Sequence, residues 1–578
     1  MADPRAPLHG GRAPEDGWRW RVWVDGRVVE PGQPHPTATV EVVEDRAPGG
    51  AEGAVPSDPS VVRRRLRVVG TGHLERFEVE PLVGGRPLPP VAGPADDRAL
   101  GQPQVGRGWF ATVAHPGAEG LSLAVDTDLG SGPWVSPPAM VGRTPPGREL
   151  SGFWDEVDRA RPAPPRVVTL ANNWYQLGFA GNMSEATVLA ELEGFGEVAR
   201  RHRLDLDFYC LDDPWDGGWE PSAGLWGRLD PARFPGGLGA LQATAQRVGV
   251  GGIGLWVSPF GGYFDRHDQR VAWGRAQGFE VHDGDWPCLC PAGDTYRRHL
   301  AGSLGRFGAA GVGYWKLDGA QFDCPEATHG HRGRTDQMDR FAALLDGLRA
   351  AGPPGTVLAF TTGSNPSPWW LRHADFLWRG GLDDDAPAGF DGGRHERFAT
   401  YIDSCLDALR PTALPVSAIV TFSVVENEAR AYQEEGEGPE EWERHCWLLA
   451  ARGSHHHDLY VAPGSLRPPE WDALARVLRW SRANQQALAR SRMVGGRPQA
   501  GEPYGFVAEG AGQVIVCLRN PAGQPQQISI EVPPVARLVP VWGGPVIPSP
   551  AQGASSTVRA ELGPFEVVVA QGPLLPAP

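Results

Sequence analysis

With 578 residues the chain is longer than the roughly 100 to 250 residues of a single domain, so two or three domains are expected. Hydrophobic residues at 41% and charged residues at 21% exclude a disordered chain, and no apolar run of about 18 residues is present to span a membrane. A formal charge of −15, with no run of Lys and Arg to track a phosphate backbone, excludes a nucleic-acid partner.

Met1-Ala2-Asp3-Pro4-Arg5 leads into Gly, Pro and charge rather than an apolar signal segment. Seven cysteines, an odd count, are mostly scattered singly among apolar neighbours. Reduced thiols in a cytoplasmic protein are the expectation. Gly (77) and Pro (57) predict long, turn-rich loops.

Up to about residue 163, short alternating stretches such as Arg19 to Val24 and Phe77 to Glu80 lie between Gly and Pro clusters, which predicts an N-terminal β-sandwich over 1–163. The texture changes at Pro162-Ala163-Pro164-Pro165. From 164 to 491, eight strand-like runs follow: Val167 to Leu170, Leu206 to Leu211, Gly252 to Val257, Gly313 to Leu317, Val357 to Thr361, Asp375 to Trp378, Ala413 to Val420 and His457 to Val461. Helical patterns lie among them at Glu185 to Arg201 behind a Ser184 N-cap, Gly237 to Val248, Thr295 to Phe307, Asp336 to Ala350, Arg394 to Leu409 and Glu440 to Ala451, with Glu470 to Leu488 after the last strand. Strand then helix, repeated about eight times, is the pattern of a (β/α)8 TIM barrel; a doubly wound open sheet is the runner-up. Strands return after 492, clearest at Gln513 to Leu518 and Gln527 to Val532, so a small C-terminal antiparallel β-domain is expected over 492–578. The fold class is therefore multidomain α/β.

Reactive groups of such a barrel collect at the C-terminal ends of its strands. Carboxylates stand at three of them: Asp212-Asp213, Asp318 and Asp383-Asp384-Asp385. Each alone is as readily a helix cap or a solvated turn; together they suit glycoside cleavage, in which one carboxylate captures the anomeric carbon and another carboxylic acid protonates the leaving oxygen. Lys316, two residues before Asp318 on a strand, faces the same side, and its charge is expected to hold Asp318 ionised as the nucleophile.

Four blocks give this chain a resemblance to the clan of α-galactosidases and α-N-acetylgalactosaminidases, glycoside hydrolase families 27 and 36, which are melibiase-like. They are Asn172-Asn173-Trp174-Tyr175, Leu211-Asp212-Asp213-Pro214-Trp215, Tyr314-Trp315-Lys316-Leu317-Asp318, and Pro368-Trp369-Trp370 through Trp378-Arg379-Gly380-Gly381-Leu382-Asp383. The resemblance implies a retaining exo-glycosidase acting on terminal α-linked galactose-like residues of an oligosaccharide or glycoside, without a cofactor. It implies Asp318 as nucleophile and Asp383 as acid/base, with Asp384 one register away. It further implies that Asp212 and Asp213 hold the 4- and 6-hydroxyls, that Trp174 closes the pocket, that Lys316 meets the 3- and 4-hydroxyls, and that Arg379 lies near the 2-position. The chain departs from the families at Thr361 to Asn365, which leaves hydroxyl or N-acetyl at that position open, and at Pro214 and Gly319-Ala320. A catalytically silent carbohydrate-binding relative, or a barrel glycosidase for an α-N-acetylgalactosaminide or α-glucoside, are the alternatives.

Trp174, Trp215 and Trp256 stand at predicted strand ends, where aromatic faces suit sugar rings, and Trp256 joins the candidate substrate contacts. No metal is expected. The consecutive His455-His456-His457 cannot all reach one ion, and Cys288-Leu289-Cys290, near His282 and Asp285, lacks a second paired element at zinc-finger spacing. Assembly into a homo-oligomer is left open by the sequence.

Overall fold

A computed structural model describes residues 18–44, 60–83, 86–87, 99–130, 132–217, 219, 224–320, 322–361, 366–378, 389–426, 438–550 and 555–575. The chain divides into two compact units, one of residues 1–157 with 332–338 and one of 158–331 with 339–578. No helix among the described residues is long and apolar enough to cross a membrane.

The first unit is an antiparallel sandwich. Trp18–Val24, Arg27–Val29, Gly72–Val83, Arg86–Pro87 and Ser122–Leu129 make one sheet, and Ala38–Glu44, Val61–Gly70, Gln104–Gly106, Trp109–Val113, Trp134–Val135 and Ala139–Arg143 make the other. Alternation explains it: Trp20, Val22 and Val24 are buried on one strand, Leu66 and Val68 on another, and both sets share one core with Phe77 and Val113. The helix Glu149–Ala160 was not foreseen in this region; it buries Phe153, Trp154 and Val157.

The second unit contains a closed parallel barrel, which rules out the open doubly wound sheet. Its strands are β1 (Val168–Asn172), β2 (Phe208–Leu211), β3 (Ile253–Val257), β4 (Tyr314–Leu317), β5 (Val357–Thr361), β6 (Phe376–Trp378), β7 (Ile419–Glu426) and β8 (His456–Val461). β8 pairs back onto β1, Val168 opposite His456 and Leu170 opposite Asp458. Around this ring run α1 (Glu185–His202), α2 (Gly237–Val248), α3 (Phe264–Ala276), α4 (Asp294–Ala309), α5 (Arg334–Ala351), α6 (Arg394–Ala408), α7 (Pro439–Ala451) and α8 (Pro468–Ala483). Ser184 caps α1 as expected, its hydroxyl accepting from the Thr187 amide at 3.3 Å.

Two differences from the sequence reading have local causes. β7 starts at Ile419 rather than Ala413, because Pro415 leads into a short 3-10 turn, Val416–Ala418, and the strand then runs on through the polar Thr421 and Glu426. Helix α3 is not among the helical patterns of the sequence: its buried side is His267, Arg270, Val271 and Gly274, which leaves almost no apolar period to detect.

Inside the barrel, residues of even number face the axis along the strands that carry the site. Val168, Leu170, Phe208, Cys210 and Tyr314 form one cluster with Val357, Ala359, Phe376 and Val420 from the other side. Carrying the alternation one or two residues further brings Asn172, Asp212, Lys316 and Asp318 to the mouth. After the barrel, Arg492–Gly495, Tyr504–Gly510, Gln513–Arg519, Val567–Pro573 and Val539–Trp542 form an antiparallel sheet, and Gln526–Val532, Ser556–Leu562 and Ile547–Pro548 a second one. Val516, Leu518, Ile528, Ile530 and Val568 are among the residues of their shared core.

Candidate active site

Asp318 sits one residue beyond β4, and its backbone amide still bonds the Val257 carbonyl of β3 at 2.8 Å. The strand ladder therefore fixes its direction. Gly319 then turns the chain with φ +82, and a Cβ there would meet the Phe260 ring at 2.2 Å, so the position is suited to glycine. Two donors hold the Asp318 carboxylate: Trp256 Nε1 reaches Oδ2 at 3.1 Å and the Tyr263 hydroxyl reaches Oδ1 at 3.2 Å.

Next to it lies a buried ion pair. Lys316 Nζ donates to Asp212 Oδ2 at 2.9 Å and to the Tyr460 hydroxyl at 3.0 Å, and Asn172 Nδ2 donates to the same Asp212 oxygen at 2.9 Å. Burial works against the lysine's charge, but Asp212, Asp318 and Asp458 together raise its pKa above the ordinary value, so it remains an ammonium ion. Lys316 acts on Asp318 in the expected direction, toward the charged form, but it does not act alone. Burial raises the Asp318 pKa, and the opposing pull of Lys316, whose hydrogen bonds go to Asp212 and Tyr460, offsets this only in part, with help from the Trp256 and Tyr263 hydrogen bonds. Deeper in the barrel, burial pushes Asp458 up to about 7.

The neighbouring Asp213 turns the other way. Its two oxygens are taken by the Arg270 guanidinium of α3, which also donates to Asp216 Oδ1 at 2.6 Å and lies 4.3 Å from the centre of the Trp226 ring. Burial raises the Asp213 carboxyl despite Arg270. The structure thus holds Asp318 with Trp256 in one hydrogen-bonded group and Asp212 with Lys316 in another, the two coupled through the charge of Lys316, and turns the Asp213 carboxylate to Arg270.

Trp174 opens a single π-helical turn, Trp174–Gly178, directly after β1, with its amide bonded to Asn172 Oδ1 at 3.0 Å and its ring half-buried. Trp215 is fully buried, donating to the Trp256 carbonyl at 2.6 Å, so the surface expected of it is not there. His455, just before β8, and His456 and His457 on it are buried, and burial pushes each down to about 3; His456 meets the Tyr314 hydroxyl at 2.9 Å. Arg379, Asp383 and Asp384 lie outside the described residues, as do Thr362 to Asn365.

Sequence reasoning missed Tyr263, Arg270, Tyr460 and Trp286. The Trp286 ring, 41% exposed, stacks on His267 at 4.3 Å and on Tyr263 at 6.4 Å, forming an aromatic shelf beside the tyrosine that touches Asp318. The Gly261-Gly262 pair before Tyr263 was the only local hint. Cys290 also has partners that sequence spacing hid: its sulfur, that of Cys324, and a ring nitrogen from each of His329 and His331 all lie within 4.8 Å of one another.

A closed eight-stranded barrel with clustered carboxylates at its mouth, a preceding β-sandwich and a following β-domain is an architecture of the TIM-barrel glycosidase type. In particular, the fold is that of the glycoside hydrolase family 36 α-galactosidases. The α-galactosidase AgaA of Geobacillus stearothermophilus superposes with a TM-score of 0.56 over 98% of this chain and 90% of its own, at 13% identity. AgaB of the same organism gives 0.57 over 96% and 88%, also at 13% identity. The galactosidase domain of the α-galactosidase-sucrose kinase AgaSK gives 0.58 over 89% and 78%, at 12% identity. A doubly substituted AgaA is also known in complex with raffinose. No family model and no curated protein sequence matches the chain.

Proposed function

We propose that this protein is a retaining exo-acting glycoside hydrolase that releases terminal α-linked galactose-like residues from oligosaccharides or glycosides. The observation that carries the reading is the Asp318 carboxylate, gripped on both oxygens by Trp256 and Tyr263 at the mouth of β4 and set beside the Lys316–Asp212 pair. The fold shared with α-galactosidases, one of them seen with raffinose, supports the substrate class.

In the first step an Asp318 oxygen attacks the anomeric carbon while the glycosidic bond breaks, and Asp383 gives its proton to the departing oxygen. In the second step Asp383 takes a proton from water, the water oxygen bonds the anomeric carbon, and Asp318 leaves with the configuration restored. Double displacement requires the two carboxyl groups about 5 to 5.5 Å apart. Asp212 accepts hydrogen bonds from ring hydroxyls, and the ammonium of Lys316 is positioned to donate to them. With Asp213 engaged by Arg270, Asp212 is the main acceptor, and Asp213 acts chiefly by fixing the loop. Trp174 and Trp256 flank the sugar, and Arg379 lies near the 2-position. The seven free thiols fit a reducing, cytoplasmic setting.

Turnover of an aryl α-galactoside tests this. Asp318→Ala is expected to lower kcat at least about 1,000-fold, and added azide to restore turnover as β-galactosyl azide, the product of one displacement. Asp383→Ala, compared with Asp384→Ala, assigns the proton donor by which variant loses more on poor leaving groups. Sugar binding without turnover by the unaltered protein would identify a silent relative, and a faster α-glucoside or α-N-acetylgalactosaminide would redirect the specificity.

A further inference from the structure

We infer that Cys290, Cys324, His329 and His331 form a structural zinc site that ties the β3–β4 insertion to the loop following Asp318. Cys290 Sγ lies 3.2 Å from His331 Nε2, and Cys324 Sγ lies 3.3 Å from His329 Nδ1. All four candidate donor atoms fall within 4.8 Å of one another, and three of the four residues are buried. Zinc bonds of about 2.3 Å to sulfur and 2.0 to 2.1 Å to nitrogen put tetrahedral ligands roughly 3.6 Å apart, so the pocket has the size of one such ion. Two sulfurs with two imidazoles are the donor set zinc prefers over calcium or magnesium, and four protein ligands leave no open position for a reacting water.

The backbone is shaped for this convergence. Cys290 follows a small hairpin, Val281–His282 paired with Cys288–Leu289, and its amide bonds the Glu280 carbonyl at 2.9 Å. Glu280 in turn accepts from the Thr295 and Tyr296 amides at 2.9 Å each, which anchors the hairpin to the start of α4. On the other loop, His329 ends a 3-10 turn, Ala327–His329. Gly330 follows with φ +80, a conformation that lets residues two apart aim at one point, and a Cβ there would strike Asp294 Oδ2 at 2.2 Å. Arg340 secures this turn by donating to the Gly330 carbonyl and, at 2.6 Å, to Asp294 Oδ1. Cys324 itself is six residues beyond Asp318, and the hairpin carries Trp286 of the aromatic shelf. On binding, each thiol releases its proton and the thiolate donates an electron pair to the ion.

The test is metal analysis of the full chain, reduced, equilibrated with Zn2+ and freed of excess by gel filtration. Close to one zinc per chain is expected, and Co2+ in its place should give the intense visible absorption of tetrahedral thiolate-bound cobalt. Cys290→Ser and His331→Ala should each lower bound metal at least tenfold, while Cys288→Ser keeps it. The cobalt spectrum needs no variant, so misfolding of a substituted chain leaves the result interpretable. Less than a tenth of an equivalent in the unaltered protein would overturn the assignment, as would metal retained by both cluster variants. Two fewer than seven reactive thiols in the denatured, unreduced chain, persisting with zinc present, would show a disulfide in place of the metal.

Discussion

Tyr263 is the residue whose role follows most directly from its contacts. Its hydroxyl donates to the Asp318 carboxylate, which favours the charged form, whereas burial favours the neutral one. Tyr263→Phe removes one of the two donors found among the described residues and raises the Asp318 pKa further. Since attack in the proposed mechanism needs the ionised carboxylate, the acid limb of the kcat/KM profile should move to higher pH with the alkaline limb unchanged. A hydrogen bond to a charged group contributes about 1.5–3 kcal/mol, so kcat/KM near neutrality should fall roughly tenfold or more. Steady-state rates across the acid range check this, and an unshifted acid limb would remove Tyr263 from the mechanism.

At the scale of elements, α3 matters because its buried face is charged. Arg270 is fully buried between Asp213 and Asp216, so Arg270→Met leaves two carboxylates without their cation, at a cost of about 3–5 kcal/mol. Denaturant unfolding should show that loss, and adding Asp213→Asn should recover part of it, because the two residues are coupled. This helix also marks the limit of what could be read from the chain. The strands of the barrel were legible because apolar runs recur with their turn signals, and the end of β4 was legible because Lys316 and Asp318 share one face. The parity that separates Asp212 from Asp213 was equally present in the sequence, but Arg270 lies 57 residues from Asp213, and no local pattern announces such a partner. Cys290 and Cys324 were hidden in the same way: a hairpin and a glycine turn bring together residues that share no motif spacing.

At the scale of the whole molecule, the sheets after residue 491 are bound to the barrel through a buried polar network. Arg519 donates to Glu396 Oε2 at 2.9 Å and to the Tyr504 hydroxyl at 2.6 Å, and Asp403 bridges onward to Arg452 at 2.8 Å. Glu396 and Asp403 belong to α6, so this helix depends on a strand more than a hundred residues later. Arg519→Leu should destabilise the protein by about 3–5 kcal/mol, and a chain ended at 491 should be recovered as aggregate. A soluble 1–491 fragment with a sharp thermal transition would contradict this.

Because β8 completes the ring by pairing with β1, the chain must leave the ribosome through Val461, nearly three hundred residues after the first barrel strand begins, before the cylinder can shut. Until then β1 keeps a bare edge, and Lys316 lacks the hydroxyl of Tyr460 and the charge of Asp458, both carried by the last strand. Birth of the candidate active site and closure of the cylinder are thus a single late event, and a nascent chain stalled before residue 461 has neither and is prone to pair with its neighbours.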